Sequence, residues 1–121
     1  MKFKSARELV RKKCVPCEGG VPKLSKSQSL KYLKELSGGW MLMSQGNAIR
    51  AEYRMRDFQA AIDFINRVGK VAEREGHHPD FHLTGYRKLA IELSTHAIGG
   101  LSENDFILAA KIDRLPRRLK V

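Results

Sequence analysis

Residues 57–75 constrain the fold more than any other stretch. Asp57 supplies an N-cap, and Phe58, Ile62, Ile65, Val68 and Ala72 recur at steps of three and four, the spacing of one apolar helix face. Gly76 suits a C-cap and Pro79 prevents continuation, so His77 and His78 should emerge from the helix end onto a sheet edge. On either side the period changes from helical to alternating. Trp40–Ser44 and Ala48–Met55 flank the polar turn Gln45-Gly46-Asn47, and the second of these sets Ile49, Ala51, Tyr53 and Met55 against Arg50, Glu52 and Arg54. Downstream, Phe81–Gly85 and Lys88–Thr95 read as strands. Leu89, Ile91 and Leu93 take one parity, and Ala90, Glu92, Ser94 and His96 the other, so His96 leaves its strand on the polar side.

Two further helices complete the pattern. Ser25 and Gln28 form a capping box before Leu30, Tyr32, Leu33 and Leu36, and Ser37-Gly38-Gly39 ends that helix. After Gly99-Gly100, Ser102 caps a final helix with Asp105 in the N3 box position and Phe106, Ala109, Ala110 and Ile112 available to the sheet, until Pro116 stops it. Residues 1–22 read as a basic, irregular leader and 23–121 as a single domain. The order helix-strand-strand-helix-strand-strand-helix predicts an α+β fold, a four-stranded antiparallel sheet with helices on one face. Phe58, Ile62, Ile65 and Trp40 are expected in the core. The sheet's other face and edges would invite a homodimer or homotetramer.

A chain of 121 residues with 42% hydrophobic content suits one domain that buries roughly 65% of its unfolded surface. No uninterrupted apolar run of about 18 residues exists to span a membrane, and the start lacks a secretory apolar run. The expectation is a soluble cytoplasmic protein, with an organelle as the alternative. The net charge of +10 sits at the ends: residues 1–34 carry +8, 111–121 carry +4, and 35–110 carry −2. A basic end of this kind reads first as a solvated extension, dispensable to the near-neutral segment that bears the histidines. Nucleic-acid binding is disfavoured, because aromatic interleaving and any DNA-reading motif are missing. Cys14 and Cys17 form one Cys-x-x-Cys without a second pair, in a leader flanked by proline and glycine, and read as reduced thiols without a function.

Function gathers elsewhere. His77, His78 and His96 lie at element ends or turns, and imidazole has a reference pKa of about 6.5, suited to proton transfer near neutrality. A metal site from His77, His78, His82 and His96 is disfavoured, since adjacent histidines point apart and Pro79 breaks the register that would pair His78 with His82. Taken singly, each residue has a plainer reading. A histidine at a turn is commonly a solvated surface residue, Asp105 is explained as a cap, and Tyr86 as sheet packing.

Joint spacing changes that reading. Glu73-x-x-x-His77-His78-Pro79, six residues, Tyr86, nine residues, His96, eight residues, Asp105 resembles the signature of the pterin-4a-carbinolamine dehydratases in every element. The resemblance extends through Ser94-Thr95-His96 and Gly100-Leu101-Ser102-Glu103, and the leader's Cys-Val-Pro-Cys-Glu-Gly-Gly resembles plant and microbial members. It implies removal of water from a 4a-hydroxytetrahydropterin, giving quinonoid dihydropterin in the recycling of tetrahydrobiopterin, with no metal or organic cofactor. By matching position, His77 and His96 would be the acid/base pair and His78 would bind and orient the pterin. Glu73 and Asp105 would support imidazoles or pterin nitrogens, and Ser94 and Thr95 would hydrogen-bond the ring. Glu73 and His77 would share a face if the helix persisted that far.

The resemblance also implies a competing, non-catalytic reading. A mammalian relative serves as dimerisation cofactor of a homeodomain transcription factor, and others are linked to assembly of other proteins, so a protein partner is the alternative. The intact histidine set favours the enzyme, because a scaffold has no need of these residues at these spacings.

Overall fold

The computed structural model describes residues 3–16 and 21–121. Its elements are α1 (Ala6–Arg11), α2 (Lys26–Leu33), β1 (Met41–Met43), β2 (Ala48–Arg54), α3 (Phe58–Glu75), β3 (Asp80–Thr84), β4 (Lys88–Leu93) and α4 (Glu103–Asp113). The sheet is antiparallel throughout, in the order β1-β2-β4-β3. The α+β arrangement is the one the sequence predicts. Ile49, Ala51 and Tyr53 of β2 and Leu89, Ile91 and Leu93 of β4 face the helices and are buried. The opposite face is polar, with Arg50 paired to Glu92 and Glu52, and His82 3.6 Å from Glu92. His82 therefore stands on the open face of the sheet.

Local chemistry sets the helix ends. Asp57 accepts from the Ala60 N–H, and Ser25 and Ser102 each form a reciprocal capping box, with Gln28 and Asp105. The buried stripe of α3 runs through Ala61, Phe64, Val68, Val71 and Ala72. Of the expected core set, Trp40 is buried. Phe58 is 52% exposed, and Ile62 and Ile65 are half-buried. They sit roughly a third of a turn or more round the helix from Phe64, so the apolar arc is wider than the sheet covers. Similarly, α2 ends a turn before Ser37, and Leu30 is 45% exposed while Tyr32 is fully buried between Phe3 and Phe106.

The leader differs most from expectation. Its residues 6–11 are helical, capped by a Ser5/Glu8 box, and Leu9 is fully buried in the core. Cys14 is buried as well, a free thiol, whereas Cys17 lies outside the described residues. Net charge averages over a segment and cannot show that single apolar residues within it dock. At the other end, residues 118–120 lie along the end of β2, where the Lys120 N–H donates to Arg54 O at 2.8 Å. Among the described residues no helix is long and apolar enough to cross a membrane.

Candidate active site

The site begins with the way α3 stops. Gly76 adopts left-handed backbone, φ 66° and ψ 26°, and the His77 N–H reaches back to Ala72 O while the Gly76 N–H bonds Glu73 O, a Schellman motif. This reversal turns His77 off the helix surface and into the protein. There its Nε2 lies 2.6 Å from Asp105 Oδ1; the imidazole is 6% exposed and the carboxylate fully buried. Asp105 Oδ2 accepts from Thr95 Oγ1 at 2.8 Å and from the Ser102 N–H at 3.0 Å.

These contacts fix the hydrogens. Thr95 gives its proton to Asp105, so Ser102 Oγ, 2.8 Å from Thr95 Oγ1, donates to Thr95 and accepts from the Asn104 N–H. Both carboxylate oxygens are thus engaged, Oδ2 by Thr95 and Ser102 and Oδ1 by the His77 ring at Nε2. Ser102 thus belongs to the network although its spacing identifies it only as a cap.

The exposed residues form a separate group. His78 Nε2 is 2.9 Å from Glu73 Oε1, both largely in solvent. Glu73 therefore faces His78 rather than His77, because Gly76 breaks the helix between them. Glu73 also borders a cleft of about 580 Å³ between residues 13–16 and the end of α3. β4 ends at Leu93, leaving Ser94 half-buried beyond it. Thr95 pairs with Gly100 through two backbone hydrogen bonds, and the loop between them holds His96, exposed, in a 3₁₀ turn closed by Gly99. The structure therefore brings His77, Thr95, Ser102 and Asp105 together, pairs His78 with Glu73, and sets His96 one residue from Thr95. Among the described residues, no three His, Cys, Asp or Glu side chains are placed to hold a metal ion.

Neighbouring acids bind the leader. Glu75, two residues before His77, accepts from the Cys14 N–H at 2.8 Å and Lys111 Nζ at 2.6 Å. Burial raises its carboxyl, but these donors bring it below the ordinary range. Glu103 accepts from Lys4, Lys12 and Tyr32 at 2.9, 2.5 and 2.8 Å. Burial opposes its ionisation, yet the three donors outweigh it and hold the group at about 2.

What fold and site define together is a class, small α+β proteins that set a buried imidazole–carboxylate pair beside surface histidines. Within it, the chain belongs to the pterin 4 alpha carbinolamine dehydratase family, whose model matches residues 22–115. It is 45% identical over 115 residues to pterin-4-alpha-carbinolamine dehydratase 2, mitochondrial, of Arabidopsis thaliana, covering 93% of this chain and 62% of that one. A Nitrosomonas eutropha protein of the same family is 46% identical over 108 residues, 89% of this chain and 93% of its own. Among solved structures, the transcriptional coactivator/pterin dehydratase from Brucella melitensis matches with a TM-score of 0.70 at 28% identity, over 76% of this chain and 96% of that one. A pterin dehydratase-like RuBisCO assembly factor of the alpha-carboxysome shares the fold, with a TM-score of 0.51 at 18% identity, over 62% of this chain and 86% of its own.

Proposed function

We propose that the protein is a 4a-hydroxytetrahydropterin dehydratase working by histidine acid/base catalysis. The observation that carries the reading is the buried His77–Asp105 pair, 2.6 Å apart, in a chain of this family. An imidazole held at Nε2 by a buried carboxylate is fixed in orientation, and imidazole is the side chain suited to exchanging a proton near neutrality. In the reaction the C4a–O bond breaks, N5 gives up its proton and the C4a–N5 double bond forms. One proton goes onto the leaving hydroxide and one comes off N5, so substrate yields quinonoid dihydropterin and water with nothing left over.

His77 and His96 are the acid/base pair, and one such group contributes roughly 10²- to 10⁴-fold. His78, oriented by Glu73, binds the pterin. Ser94 contacts the ring, while the Thr95 hydroxyl, committed to Asp105 and Ser102, holds the carboxylate in place. No metal or organic cofactor is required by this chemistry. The physiological setting is tetrahydrobiopterin recycling, by a homodimer or homotetramer in the cytoplasm or, as the name of the Arabidopsis relative favours, an organelle.

The test is turnover of chemically generated 4a-hydroxytetrahydropterin, followed by ultraviolet absorbance against the spontaneous rate. Dehydration no faster than the spontaneous rate defeats the reading. A second reading, a coactivator or assembly protein on this fold, is favoured by the name of the Brucella structure. A scaffold would tolerate loss of His77 with its binding intact, and an enzyme would not.

A further inference from the structure

The leader and the site meet at the first turn of α4. Ser102 and Asp105 hold His77 from one side of that turn, and the two residues between them hold the leader. Asn104 is buried, 1% exposed, and its carboxamide binds one backbone residue twice: the Val15 N–H donates to Oδ1 at 3.0 Å and Nδ2 donates to Val15 O at 2.7 Å. The Cys14 thiol adds a contact of 3.5 Å to Asn104 O. Glu103 collects Lys4 and Lys12 from the same segment.

The segment reaches the second half of the site too. The Cys14 N–H binds Glu75, the last residue of α3, from which Gly76 launches His77. Residues 14 and 15 therefore bridge the end of the element that delivers His77 and the start of the element that delivers Asp105. A packed helix terminus can still rock by fractions of an ångström, and misplacement of about 1 Å costs up to roughly 10²-fold in rate.

We propose that residues 3–16 are a positioning clasp for the His77–Asp105 pair and that Asn104 is the positioning residue through which the clasp acts. This rests on the dehydratase reading for its kinetic consequence alone. In the proposed chemistry Asn104 makes no contact with substrate. Its effect passes through the neighbouring Asp105 carboxylate.

The experiment compares the full chain with Asn104→Ala, Asn104→Asp and Ile49→Val, each assayed well below its unfolding midpoint. Two readouts are taken: kinetics on 4a-hydroxytetrahydropterin, and the ¹H and ¹⁵N resonances of the His77 ring, assigned with His77→Asn. Asn104→Ala is expected to lower kcat by about 10- to 100-fold with KM within about threefold, and to shift the His77 ring resonances. Asn104→Asp, which keeps the acceptor for the Val15 N–H, should fall between that variant and wild type. Ile49→Val, in the core of β2 and outside the clasp, should lower the unfolding midpoint and leave kcat within about twofold. A folded Asn104→Ala with kcat within about twofold of wild type and an unmoved His77 resonance overturns the proposal. Should Asn104→Ala not fold, the same two readings on Asn104→Asp decide. If the wild-type chain shows no turnover, the dehydratase reading falls, and the His77 resonance still decides the clasp by itself.

Discussion

Gly76 does more for the site than its missing side chain suggests. Nothing stands within 4 Å of a Cβ added there, so Gly76→Ala meets only the backbone penalty of φ +66°, about 1–2 kcal/mol. That penalty falls on the turn that buries His77. We expect Gly76→Ala to lower stability by about 1 kcal/mol and turnover by more than that loss explains, whereas Gly76→Asn, which tolerates this backbone, stays nearer wild type. Thermal midpoints read beside kcat check it. For the imidazoles themselves, His77→Ala and His96→Ala should each cut turnover roughly 10- to 1,000-fold with the fold retained, and the double variant should approach the spontaneous rate. His78→Ala should raise KM more than it lowers kcat. Near-normal catalysis in the double variant would remove both residues from the proton transfer. Asp105 was legible in the sequence as an N3 capping residue, and the structure shows it capping and binding His77 with the same carboxylate. Its two oxygens make that possible, but a local pattern displays just one use.

At the scale of elements, the helix caps and strand pairs could be read because they depend on neighbours a few residues apart. The leader could not. Its partners, Glu75, Glu103 and Asn104, lie 61 to 99 positions away, and no periodicity encodes such pairings. Glu103 gives the leader's docking a pH signature. Its carboxyl is depressed in the folded protein from an ordinary 4.5 to about 2, so the unfolded chain binds the proton first. The stabilisation is fully present above about pH 4.5 and is lost as pH falls toward 2. Thermal midpoints of the wild type should drop across that window, while Glu103→Gln should start lower at neutral pH and change less. Parallel curves for the two proteins would detach Glu103 from acid unfolding. Cys14 offers an independent probe, since burial first, then the nearby Glu75 carboxylate, pushes its thiol up to about 12. In a Cys17→Ser background Cys14 should resist alkylation at pH 8 until denaturant is added.

For the whole molecule, the sheet's open face is furnished with ion pairs and can remain wet, whereas among the described residues the edge strands β1 and β3 each pair with one strand, β2 and β4 respectively. Met41 and Met43 lie exposed on β1. We therefore predict a homo-oligomer formed through sheet edges, weakened by Met43→Lys. Light scattering at micromolar concentration that gives a monomeric mass for a protein of normal stability would refute it. The leader's contacts also impose an order of assembly. Lys4 and Glu103 stand 99 positions apart, and closing a loop of such length costs only about 0.6 kcal/mol more than closing one half as long. The entropy is modest, but the timing is not negotiable. During synthesis α1 emerges well before α4, the helix it packs against, so Leu9 waits for its cover until the chain has been translated through α4.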